Sequence, residues 1–77
     1  MEKIEYNYNK LRGMIREVFK TQEKYADFLG ISEGQLYKIF NGSSYFNQAQ
    51  ISKTALFLNS TAQEIFDYFF TEKVEQN

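Results

Sequence analysis

Residues 22–42, QEKYADFLGISEGQLYKIFNG, decide how this chain of 77 residues folds. The stretch reads as two short helices joined by a tight turn. The first is Gln22–Leu29, with Thr21 as N-cap and Tyr25, Ala26, Phe28 and Leu29 as its buried candidates. Gly30 ends it, since a C-terminal position with positive φ favours a residue without a Cβ. Ile31 and Ser32 lead into the second, Glu33–Phe40, with Ser32 as N-cap and Asn41-Gly42 as the stop. The small Ala26 allows the two helices to cross closely, and Ile31, Leu36 and Ile39 plug the corner between them. This is the geometry of a helix–turn–helix, in which the second helix enters a DNA major groove.

Outward from that corner the rest also reads as helix. Residues 8–19 place Tyr8, Leu11, Ile15, Val18 and Phe19 on one face with Met14 at its edge, and Asn7 is the candidate cap. Arg12, Arg16 and Lys20 lie four apart and make a basic ridge, either a DNA-facing strip or a solvated surface. A fourth helix spans Gln48–Leu58, capped by Asn47. Its expected inner stripe is Ile51, Ala55 and Leu58, with Thr54 or Leu56 and Phe57 at the edges. A fifth covers residues 62–70, capped by Ser60 or Thr61, and Thr61 and Glu64 have capping-box spacing. Residues 1–6 read as a loose arm and residues 71–77 as a frayed polar tail. The expectation is one all-α, five-helix domain with its ordered core at about residues 7–70.

Composition narrows the function. The chain has no Cys and no His, which leaves no disulfide, no thiol nucleophile, no imidazole base and no ordinary zinc site. No catalytic residue, metal or cofactor is expected, and an enzyme is the least favoured class. No apolar run reaches membrane-spanning length and the N-terminus has no signal-peptide core, so a cytoplasmic location is expected. Net charge is −1. Residues 1–20 carry five cations against three anions, and residues 61–77 carry one cation against four anions. One end is mildly basic and the other acidic, which is compatible with one DNA-facing side.

Residues 21–42 resemble the helix–turn–helix of the phage repressor and Cro family, also called Xre-like. Gln22, Ala26, Gly30, Ile31, Ser32, Leu36, Ile39, Asn41 and Gly42 carry the resemblance. It extends through FNG and QAQISKTALFLNSTAQEIF to cover about residues 8–70. The resemblance implies a compact lambda-repressor-like DNA-binding domain, often a homodimer on a palindromic double-stranded operator, and a phage or prophage control protein.

On the second helix of the motif, Leu36, Ile39 and Phe40 make the inner stripe. Gly34, Tyr37, Lys38 and Asn41 face the other way, with Glu33 and Gln35 on the flanks. Base contacts are therefore expected from Ser32, Glu33, Gly34, Gln35, Tyr37 and Lys38. Lys38 suits a guanine edge or a phosphate, and Gln35 an adenine. Tyr37 suits a thymine methyl or a phosphate. Each also has a plainer reading as a solvated surface residue or a cover for the neighbouring helix. Glu33 can accept from a cytosine amino group or simply favour a helix N-terminus. Gly34 permits close approach to the groove floor or merely relaxes the first turn. The resemblance gives Gln22 a phosphate bond, and Gln22 can also brace Glu33 or another residue of that second helix. Asn41, Ser43, Ser44 and Tyr45 are further candidate phosphate donors, and Asn47 and Lys53 add to the donors nearby.

The segment IFDYFF, residues 65–70, puts apolar rings all round a short helix. Phe66, Tyr68, Phe69 and Phe70 are thus candidates for a dimer interface, or they complete the monomer core. Few cations on the motif imply modest monomer affinity for DNA. The alternative to a DNA-binding regulator is a small protein-interaction module with the same fold, an antirepressor or modulator acting on a phage repressor.

Overall fold

The computed structural model describes residues 4–74. Five α-helices follow one another: α1 (Asn9–Met14), α2 (Gln22–Leu29), α3 (Glu33–Phe40), α4 (Gln48–Leu58) and α5 (Ala62–Phe69). The fold is all-α, as the apolar spacing requires. α2–α5 match the boundaries read from the sequence, except that α5 stops one residue earlier, at Phe69.

The first helix departs from expectation. α1 passes at Ile15–Phe19 into a π-helical turn, closed by Lys20 N–H donating to the Ile15 carbonyl at 2.9 Å. The wider turn moves each following side chain around the axis. Val18, expected inside, is 42% exposed. Phe19 turns inward instead, and its ring lies 5.0 Å from Tyr25, 5.1 Å from Phe28 and 5.5 Å from Phe57. At the other end, Asn7 Oδ1 accepts from Asn9 N–H at 2.9 Å, one residue before the position of the helix cap, Tyr8.

The helix ends are closed by local hydrogen bonds. Thr21, Ser32, Asn47 and Thr61 each accept from the backbone three residues on. Three of these are reciprocal capping boxes, with Gln35, Gln50 and Glu64 reaching back to the cap backbone. Gly30 sits at φ 79°, a left-handed conformation that a Cβ resists. There Ile31 N–H donates to Ala26 O at 3.0 Å and Gly30 N–H to Asp27 O at 3.1 Å, the Schellman closure. The end of α2 is thereby closed by backbone hydrogen bonds, and the Ser32–Gln35 capping box opens α3.

Tyr8, Leu11, Met14, Ile15, Tyr25, Ala26, Leu36, Ile39 and Phe69 form the core. Two aromatic clusters extend it. Phe46 stacks edge-on against Tyr8 and Phe69, and Phe19, Tyr25, Phe28 and Phe57 make the second. The deepest residue of α4 is Thr54, fully buried, while Ile51, Ala55 and Leu58 are half-buried. A hydroxyl is tolerated there because it bonds the buried Tyr25 hydroxyl. Leu56 and Phe57 lie on the exposed side.

The expected loose arm is attached to the tail. Tyr6 pairs with Glu72 in an antiparallel bridge. Asn7 N–H donates to Thr71 O at 2.7 Å and Lys73 N–H to Glu5 O at 2.8 Å. Residues 1–3 of the arm and 75–77 of the tail lie outside the described residues. Among the described residues, no helix is long and apolar enough to cross a membrane.

Candidate functional site

α3 is amphipathic in the sense the corner demands. Leu36 and Ile39 are buried and Phe40 is half-buried, whereas Ser32, Glu33, Gly34, Gln35, Tyr37, Lys38 and Asn41 are exposed. Tyr37 is the large hydrophobic side chain of α3 that stands out into solvent, at 66% exposure. A Cβ added at Gly34 would meet nothing nearer than Ser32 Oγ, at 3.8 Å. Glycine there is not required by packing inside the molecule.

Gln35 and Lys38 line one side of a cleft of about 360 Å³. Ser44 and Tyr45 from the α3–α4 loop line it too, with Asn47 and Gln50 at the start of α4. The structure thus gathers two of the base-contact candidates and two of the phosphate-contact candidates around one hollow. Glu33, Gly34 and Tyr37 lie outside it, on the open face. Gln50 carries no binding signal in the sequence, although its three-residue spacing from Asn47 is a capping signal.

Several candidates already have internal bonds. Gln35 Oε1 accepts from Ser32 N–H at 3.2 Å, and Ser32 Oγ accepts from Gln35 N–H at 3.1 Å. The Gln35 amide nitrogen remains as its donor. Asn41 Oδ1 accepts from Ser43 N–H at 3.1 Å, which fixes the first bend of the loop. Tyr45 donates its hydroxyl proton to the Ile4 carbonyl at 2.7 Å, so it is not a free phosphate donor. Lys53 is turned away as well: its Nζ donates to the Phe28 carbonyl and lies 4.7 Å from the Phe28 ring centre. There it neutralises the C-terminal end of α2. No hydrogen bond joins Gln22 to Glu33 among the described residues, and Gln22 is exposed at the head of α2.

The basic ridge is split. Arg16 and Lys20 are exposed, but Arg12 is half-buried, with its guanidinium carbon 4.7 Å from the Phe40 ring centre. On α5, Phe69 is 2% exposed and belongs to the core, so it cannot serve a dimer surface. Tyr68 is half-buried. Phe66 and Phe70 are exposed and pack ring to ring at 6.1 Å.

These features describe a small five-helix fold in which a tight turn joins α2 to α3 and one face of α3 is open to solvent. The chain belongs to the family described as "Protein of unknown function (DUF739)", whose match runs over residues 4–72. No curated protein matches it.

Proposed function

We propose that the protein is a sequence-specific DNA-binding regulator of the phage repressor and Cro kind, acting in the cytoplasm and reading a double-stranded operator with α3. The observation that carries this reading is the division of α3: one row anchors it in the core and a continuous polar row from Ser32 to Asn41 is presented outward. A short turn fixed by Gly30 sets the angle of that row. Lys38 and the Gln35 amide supply donors to base edges. Gln22, Asn41, Ser43 and Ser44 supply donors to phosphates on either side. The exposed Phe66–Phe70 pair is the proposed contact between two copies.

Selection of bound sites from random duplex DNA by the purified protein tests this. The expected result is a palindrome with half-sites about one helical turn apart. Undetectable binding to any duplex at low ionic strength overturns it. That outcome would favour the second reading, a module that binds a phage repressor. Glu33 at the head of α3 and the 83% exposed Leu56 are the observations on its side.

A further inference from the structure

We propose that the cleft between the start of α1 and the C-terminal end of α3 is an oxyanion site for a phosphate group, with Arg12 as its principal ligand. The cleft measures about 240 Å³, and Asn7, Asn9, Arg12 and Lys73 line it above an aromatic floor of Tyr8 and Phe40. No carboxylate lines it among the described residues.

Arg12 carries the argument. Its Nε is buried and has no hydrogen-bond partner, a costly state for a charged donor. Among the described residues the one ion pair is Lys10–Asp67, so no carboxylate compensates the guanidinium. The Phe40 ring lies 4.7 Å from the guanidinium carbon, and Arg12 lines the cleft, so its terminal nitrogens, and not the enclosed Nε, are what an anion in the cleft would meet. A planar fork held in this way suits two oxygens of one tetrahedral anion.

The other lining groups are also donors. Lys73 brings a second cation, and its backbone is fixed by the 2.8 Å bond to Glu5 O. Asn7 uses its oxygen on Asn9 N–H, so its amide nitrogen is the part left to donate. Two cations and side-chain amides fit a phosphate group. The phosphate can belong to a nucleic-acid backbone passing the C-terminal end of α3, or to a free phosphorylated molecule. The site itself does not rest on the DNA-binding proposal.

The test is thermal unfolding of the full chain in inorganic phosphate, with ionic strength held constant by sodium chloride. The expected result is a saturable rise in midpoint of about 4 °C or more. Arg12→Met removes the guanidinium that lies over Phe40 but keeps an unbranched apolar side chain, and should abolish the rise, with circular dichroism confirming the fold. Lys73→Met lies at an exposed position and should shrink the rise without affecting folding. No rise over chloride, or the same rise in either variant, overturns the site. A salt titration on a short random duplex then identifies the source. A slope lowered by about one in Arg12→Met assigns the site to a backbone phosphate. An unchanged slope alongside a lost phosphate effect assigns it to a free ligand. Phosphate stabilisation without any duplex binding would sink the DNA proposal and leave the site standing.

Discussion

The Tyr25 hydroxyl lies 2.8 Å from Thr54 Oγ1 in the buried space between α2 and α4, and the tyrosine supplies the proton. Thr54 has one hydroxyl proton and donates it to the Gln50 carbonyl at 3.0 Å, so towards Tyr25 it can only accept. The two substitutions are therefore unequal. Tyr25→Phe leaves Thr54 still donating and should cost about 1 kcal/mol, the net value of a hydrogen bond. Thr54→Val strands a buried O–H and should cost about 1–3 kcal/mol. The double variant should lose less than the two singles added together, and urea unfolding of all three measures this. Equal single costs that add without coupling would contradict the proton assignment.

Alkaline pH should unfold the protein through its tyrosines. Burial pushes Tyr25 up to about 12. Burial, then Tyr6 and Tyr45, push Tyr8 up to about 12. The unfolded chain releases these protons near pH 10, whereas the folded chain holds them to about pH 12. Their contribution is complete below pH 10 and is lost as pH rises towards 12, with each tyrosine adding a slope of up to about 1.4 kcal/mol per pH unit. Denaturant midpoints measured from pH 8 to 12 check it, and Tyr25→Phe should flatten the fall.

Lys20 has φ 76° and ψ −42° at the end of the π turn, a backbone region costly for any residue with a Cβ. Lys20→Gly should raise stability by about 1 kcal/mol in urea unfolding. The exposed bond from its Nζ to Glu17 O is a small loss against that gain. A destabilised glycine variant would mean that the π turn is not a source of strain.

Gly34 has room for a methyl group within the molecule. Gly34→Ala should therefore stabilise the fold by about 0.5 kcal/mol through helix propensity. If α3 approaches a groove floor, the same variant should bind operator more weakly. A more stable protein with undiminished affinity would remove Gly34 from the interface.

The sequence made some of this legible and hid the rest for identifiable reasons. The Gly30 corner and the ends of α2, α3 and α4 are written in caps and stops that act through backbone geometry, so they survive without knowledge of the tertiary structure. The π turn left no such mark, because Val18 and Phe19 both satisfy an apolar stripe and only the register decides between them. Thr54 reads as an edge position beside Ile51, Ala55 and Leu58, because its burial depends on a hydroxyl partner 29 residues away. The outward row of α3 was readable by periodicity. The commitment of Tyr45 to Ile4 and of Lys53 to Phe28 was not, since both partners are backbone carbonyls distant in the chain.

Operator reading by α3 can be separated from its stability. Lys38→Ala removes an exposed cation and should lower specific binding by about 1–3 kcal/mol if it contacts a base. Gln35→Glu keeps an acceptor for Ser32 N–H, and so the capping box, but removes the amide donor. It should leave the thermal midpoint unchanged and lose operator affinity. Gel-shift titration beside circular dichroism reads both, and wild-type binding by both variants would move the interface elsewhere.

The bridge between Tyr6 and Glu72 brings residues 4 and 74 out side by side, so a pull on the two ends opens its bonds in succession, like a zip. The Lys73–Glu5 bond gives first and the Asn7–Thr71 bond after it. The helices need not yield for this to happen. Since the Ile4 carbonyl also holds the Tyr45 hydroxyl, the strand that opens first is tied to the loop beside α3.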